Sequence, residues 1–476
     1  MVHLLDLPDE LLIQICEGLR QIDSCNTSDI KSCRLTCQRL CAASSHLLVP
    51  VVAVDCRVAS LERFNDITRH PTIGKGVRAV RVPIHSYRRE LSEVSASFVK
   101  FIAEPALYDH TEPELYLDNT CELDTEIQAP QGEHVKQDDH VWTRALGLIH
   151  GEYQRFYREQ ESLRRDGTFV NTVASALAKM PHAAVLVYDD KPCGPLDIVN
   201  IESLARDHCH LLQLDPAFWR HKWYEMLSPK TWSDLVRDDF GWGSFGPDPA
   251  FEEPQMDFVF DLPCAIANAG GQFHDIQFHL ARDEPLGHLT PDITTQPGFA
   301  SAMQQLEAFT VISQQPPVDT VVDNFASSFL ANATNLRFLR IAFIYSGLLS
   351  EALASQPLPS LKQIYLNEAC IKLADLVVFL NGLPAYVDVM YLGRVRLIEG
   401  TWAEALEALR EKSYGLFVID NLGGFDGTEY MHSAFEPAGS TRACEEGFGK
   451  YGRMPGSLSP AEAFVLRMTT TNPCRT

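Results

Sequence analysis

The sequence predicts an α/β fold in which a short three-helix unit over residues 1–50 leads into a long stack of alternating strands and helices. Three observations predict it. The first fifty residues carry apolar positions at helical spacing, broken by polar gaps. The remainder repeats a strand-like pattern, apolar-x-x-apolar-x-apolar. Helical patterns fall between the copies. At 476 residues and 45% hydrophobic content, the chain is long enough for more than one unit and apolar enough to bury a core.

Leu7-Pro8-Asp9-Glu10 reads as a helix start. Proline suits the first helical position, where its missing N–H would be unpaired anyway. Asp9 and Glu10 complement the positive end of the helix dipole. Leu11, Leu12, Ile15, Cys16 and Leu19 then recur on one face. After a polar gap at 23–28, Ser28 or Asp29 can cap a second helix. Ile30, Cys33, Cys37, Leu40, Cys41 and Ser44 form its inner stripe, with a break expected near Thr36-Cys37 and a stop at Pro50. Three short helices make a poor independent core, so the unit needs a partner or a following domain to cover it. A helical pair capping a larger domain would show the same apolar faces.

The run LPDELLIQICEGL, a short polar gap, then CRLTCQRLCAASSHLL resembles an F-box of the kind found in many fungal proteins. Leu7, Pro8, Glu10, Leu11, Leu12, Ile15, Leu35, Cys37 and Arg39 match that pattern. Leu40 stands where the family often has Trp or Phe, and Gln38 where it is often basic. The segment Leu61–Arg89, with His70-Pro71-Thr72-Ile73-Gly74, resembles what commonly follows such an F-box. The resemblance implies that these residues, together with Leu40, bind a Skp-family adaptor and through it a cullin ubiquitin ligase.

The strand pattern opens at Leu336, Leu361, Val387 and Tyr414, at intervals of 25, 26 and 27 residues. Upstream, Leu306, Phe273, Val77 and His182 open further copies. Helical patterns occupy Phe325–Leu330, Leu348–Leu353, Leu373–Leu383 and Trp402–Leu409. One strand and one helix per 25 to 33 residues is the arrangement of an irregular leucine-rich-repeat-like solenoid. The turn-stabilising Asn of such repeats has candidates at Asn367 and Asn421. A doubly wound α/β arrangement also alternates strand and helix, though at wider spacing. The solenoid is placed at residues 51–430, starting directly after the helical unit.

Two stretches interrupt the rhythm. Residues 112–140 hold nine acidic residues and one Lys, which predicts an exposed loop. Residues 192–263 are rich in Pro, Gly and aromatic residues, including Trp219, Trp223, Trp232 and Trp242. They read as an insertion whose tryptophans serve either packing or a binding surface. Residues 431–476 show little apolar periodicity and read as a mobile tail.

Charge and cysteine usage bound the function. The net charge of −23 argues against nucleic-acid binding, which needs a basic stripe. No run of apolar residues reaches the length of a membrane span. Thirteen cysteines without a CxxC knuckle read as free thiols of a reducing compartment, cytoplasmic or nuclear. No metal or cofactor is expected. Gly241-Trp-Gly-Ser-Phe-Gly246 satisfies GxGxxG but runs into Pro247-Asp-Pro249, so the phosphate-holding helix is missing. His208-Cys209-His210 could offer at most two ligands to one ion. The chain reads as no enzyme. The F-box resemblance implies a substrate-recognition subunit, binding an adaptor through the helical unit and an unidentified protein target through the solenoid. The alternative is a scaffold that binds the adaptor without directing degradation.

Overall fold

Every copy of the strand pattern forms a strand, and every strand is parallel to the next. The computed structural model describes residues 4–22, 28–103, 139–189, 223, 225–229, 257–280, 298–313, 321–354, 356–420, 423–424 and 458–474. The predicted loop at 112–140, except its last two residues, lies outside them, as do Asn421, Trp219, Trp232, Trp242, the His208–His210 cluster and the Gly241–Gly246 run.

The N-terminal unit holds three helices, α1 (Asp9–Ile22), α2 (Ser28–Thr36) and α3 (Gln38–Ser44). The expected break falls at Cys37, whose backbone is extended at φ −162°, ψ 165°. Helix α1 begins one residue later than the proline suggests. The Pro8 carbonyl accepts the first helical bonds, from Leu11 and Leu12.

The sheet follows at once. Its strands are β1 (Val51–Ala53), β2 (Ala79–Pro83), β3 (Val185–Asp189), β4 (Asp275–Leu280), β5 (Ala308–Ser313), β6 (Phe338–Leu348), β7 (Gln363–Lys372), β8 (Tyr386–Gly393), β9 (Arg396–Glu399), β10 (Ser413–Asp420) and β11 (Gly423–Gly424). The main path runs β1-β2-β3-β4-β5-β6-β7-β8-β10, in sequence order. A second, shorter ladder continues beyond it, where the end of β7 pairs with β9 and β9 with β11.

Alternation sorts the side chains. Val80, Leu186, Ile276, Phe309, Leu339, Ile364, Met390 and Phe417 align across neighbouring strands and are all buried. So are Val82, Tyr188, Phe278, Val311, Ile341, Leu366, Leu392 and Ile419. Crossover helices, among them Val58–Arg69, Thr168–Leu177, Phe258–Asn268, Val321–Leu330, Leu373–Gly382 and Trp402–Arg410, cover this face. They share one continuous core with the strands, from Val52 to Val465. Its densest part is aromatic. Phe278 lies 4.7 Å from Phe325 and 5.3 Å from Phe329, and Phe309 stacks on Phe329 at 5.4 Å. Each such ring contributes about 1.5–3 kcal/mol of burial.

Between the two ladders the chain turns at left-handed residues, Glu368 (φ 57°) and Arg394 (φ 49°). These occupy equivalent places, because Asn367 pairs with Gly393. Arg394 donates to Glu368 Oε1 at 2.7 Å. Asn367 Nδ2 donates back to the Phe343 carbonyl of β6 at 3.3 Å. A Cβ at Gly393 would strike Asn367 Oδ1 and the Tyr391 ring, so a larger residue there would displace both side chains.

Two expectations need correction. The stretch 431–476, expected to lack periodic structure, holds a packed helix within 458–474, while 431–457 lies outside the described residues. The helix Pro460–Val465 buries Ala461, Phe464 and Val465, and a capping box joins Ser459 to Glu462. Glu462 is fully buried; Oε1 accepts from Ile419 N on β10 at 3.0 Å and Oε2 from Ser459 N at 2.7 Å. Six residues are too few to show periodicity, yet they cover a free sheet edge. The insertion at 192–263 likewise ends early, because Phe258–Asn268 is a core helix and Trp223 is buried at 1% exposure. The sequence also hid a helix of 27 residues, Asp139–Arg165. Its Tyr153, Phe156 and Gln160 pack on the segment after β2, with Gln160 bonding both the N–H and the carbonyl of Tyr87.

Glu462→Ala would leave the Ile419 and Ser459 N–H groups without an acceptor. The expected cost is about 1–3 kcal/mol, read as a lower urea midpoint at unchanged m. A loss below about 0.5 kcal/mol would mean the C-terminal helix does not hold the β10 edge.

Candidate functional site

The helical unit is the first candidate surface. Its interior is two small clusters, one of Leu12, Leu40 and Ala43, the other of Cys16, Ile30 and Leu47. Leu7, Cys33 and Cys37 pack partly against them. So little interior leaves apolar surface outside. Leu4 is 51% exposed, Leu5 44%, Leu11 43%, Ile15 41% and Leu35 88%. Leu11 and Ile15 stand four residues apart on α1, on one face.

The sequence-predicted binding residues therefore divide. Pro8, Glu10, Leu11, Ile15, Leu35 and Arg39 are exposed. Leu7 and Cys37 are half-buried. Leu12 (1%) and Leu40 (8%) face inward and hold the unit together, so they offer no contact surface. Arg39 has a structural task as well. It bridges Asp9 at 2.8 Å, donates to the Leu7 carbonyl at 2.7 Å and also bonds the Leu5 carbonyl. Three bonds from one guanidinium fasten the segment before α1 onto α3. Leu4 and Leu5 were not singled out in the sequence, because the motif begins after them.

The unit is seated on the first crossover. Gly76 lies so close to the His46 carbonyl that any Cβ would collide with it. The N-terminal unit and the first crossover thus meet backbone to backbone.

The second candidate surface is the sheet face opposite the helices. From β5 to β10 it carries Thr310, Arg340, Tyr365, Tyr391 and Val418 in one row. Phe338, Gln363, Val389 and Leu416 form the row before it, and Leu416 is 53% exposed. Phe338 and Tyr365 lie 5.5 Å apart, Tyr365 and Tyr391 6.2 Å. Sequence analysis passed over this surface. Its signal was the single x between the last two apolar positions of each repeat, occupied by Arg340, Tyr365, Tyr391 and Val418.

A cleft at the ends of β1 and β2, lined by Asp55, Cys56, Arg57, His85, Tyr87, Gln160 and Arg164 among others, has the polar residues a catalytic site would use. Its groups are committed to one another. Arg57 pairs with Asp55, and Gln160 with the Tyr87 backbone. Burial pushes the Cys56 thiol up to about 12, which withholds the thiolate a nucleophile needs. Among the described residues no group of three or more His, Cys, Asp or Glu could hold a metal ion, and no helix is long and apolar enough to cross a membrane. Cys16 and Cys33 approach to 4.0 Å as thiols. Burial, then the neighbouring Cys33, raises Cys16 to about 11.

Alkylation of the native chain by iodoacetamide at pH 8, read by mass spectrometry, should leave Cys16 and Cys56 unmodified until the chain is denatured. Both thiols ionise more readily when unfolded, so their contribution to stability is full below pH 9 and falls as pH rises toward 11 to 12. Rapid native labelling of either would contradict these environments.

Comparison with protein-family models, with curated proteins and with solved structures returned no match.

Proposed function

We propose that this chain is an F-box-type recognition subunit of a Skp–cullin ubiquitin ligase. One observation carries the reading. Five large apolar side chains, Leu4, Leu5, Leu11, Ile15 and Leu35, are exposed on a helical unit whose own interior is too small to take them. Isolated exposed leucines need no explanation, but a cluster on fifty residues does. Burying the exposed parts of Leu11 and Ile15 against an adaptor would add on the order of 1 kcal/mol each.

The sheet is read as an irregular leucine-rich-repeat-like solenoid. Its support is the sequential parallel order, the 25- to 27-residue interval and the Asn367 bond back to the preceding strand. Such a solenoid presents one long face to a protein target while the helical unit anchors it. Its contribution to ubiquitin transfer would be proximity, a raised effective concentration of target near the conjugating enzyme. No side chain of this chain has to take part in bond making.

The double variant Leu11→Asp with Ile15→Asp tests the reading, because both residues are exposed and the fold does not need them. Affinity for a purified Skp-family adaptor, measured by calorimetry, should fall by about 100-fold or more, with the thermal midpoint little changed. Failure of the unaltered chain to bind the adaptor, or equal binding by the variant, would remove the basis of the proposal.

A further inference from the structure

We propose that the sheet face around Arg340 binds an extended, acidic segment of a partner protein, with a carboxylate on Arg340 and apolar side chains on the neighbouring aromatics. The proposal rests on the reading of the sheet as the recognition surface and specifies its chemistry.

Two arginines point out of this face among the described residues of the main strand rows, and they are not equivalent. Arg81 on β2 is held by Asp189 of β3 at 2.9 Å. Arg340 on β6 is half-buried and has no hydrogen bond or ion pair among the described residues. Its register neighbours are Thr310 on one side and Tyr365 on the other, neither of which can neutralise it. A cation kept partly out of water without a counter-charge gains most from an incoming anion.

The neighbours set the rest of the ligand. Tyr365 and Tyr391 are register neighbours, and Phe338 of the adjoining row meets Tyr365 diagonally, so the rings span three strands. Val389, Leu416 and Val418 continue the apolar surface to the edge. Parallel strands stand about 4.8 Å apart, so this row suits a chain laid across the strands with several side chains in contact. Other charges border this face: Asp275 on β4 bonds Gln277, and Arg337 beside Phe338 pairs with Glu307 at 3.7 Å. Arg394 is paired with Glu368 at 2.7 Å, and Asp420 lies at the far end of the face.

This count chooses the anion. A phosphate carries about −1.5 to −2 charges and is usually met by a cluster of arginines. One unpaired guanidinium matches one carboxylate.

A random nonapeptide library displayed on phage, selected on the full-length chain, tests the proposal. The expected result is enrichment of peptides with Asp or Glu beside aliphatic or aromatic residues. Synthetic copies of these peptides should bind Arg340→Gln about tenfold more weakly, the effect of one charge-assisted bond. Selection on Arg340→Glu should enrich Lys or Arg in place of the acid, which a merely structural role for Arg340 would not produce. Tyr365→Ala should weaken binding without changing the charge preference. Absence of enrichment, enrichment indifferent to Arg340→Glu, or tighter binding of phosphoserine analogues would each overturn the carboxylate assignment. Adaptor affinity of Arg340→Glu, measured in parallel, should equal that of the unaltered chain. Failure of the adaptor reading and failure of this proposal are therefore separate results.

Discussion

The structure depends on one ladder of parallel strands laid down in sequence order. Each strand gives its hydrogen bonds to the strand before it and the strand after it, and each crossover helix covers only its own stretch of the sheet. No single strand–helix pair could bury Phe278, Phe309 and Phe329. Together the pairs make one core without a break. The same constraint creates two ends, and other elements lie at each. At the start, β1 follows directly on the helical unit, which meets the first crossover at Gly76 and His46. At the finish, Glu462 takes the N–H that β10 would otherwise offer to another chain. The sheet needs such protection because open edges invite further strands.

The helical unit obeys a different balance. Its two clusters use Leu12, Leu40, Cys16, Ile30 and Leu47, and nothing of that size can also enclose Leu11, Ile15 and Leu35. Its contact with the first crossover, at Gly76 and His46, leaves those residues exposed. Exposed candidate surfaces then fall on two distinct elements. One is the helical unit, whose start Arg39 fastens, the other a strand face on which alternation separates core from outward-facing positions.

Much of this was legible in the sequence, for physical reasons. Strands with buried residues at fixed intervals gave a clear pattern, so all eight copies of the motif are strands. The break expected near Thr36-Cys37 falls at Cys37, whose backbone is extended. Asn367 was picked out by its likeness to the turn-stabilising Asn of leucine-rich repeats, and it does donate to the Phe343 carbonyl of the preceding strand. What escaped notice was set by tertiary contact. The short ladder β9–β11 has too few residues for alternation to show. The helix Pro460–Val465 gains its order from burial on β10 rather than from its own length. The inward turn of Leu12 and Leu40, within a motif otherwise exposed, depends on how α1 and α3 cross. The row of Arg340, Tyr365 and Tyr391 was hidden because a repeat is recognised by what recurs, and these outward-facing positions vary from copy to copy.

The most direct test of the account is hydrogen exchange of the full-length chain with and without a purified Skp-family adaptor. The account predicts slowed exchange in residues 4–22 and 28–44 on complex formation, with the face of β5 to β10 unchanged. Protection on that sheet face with none in the helical unit, or no protection anywhere at saturating adaptor, would contradict it.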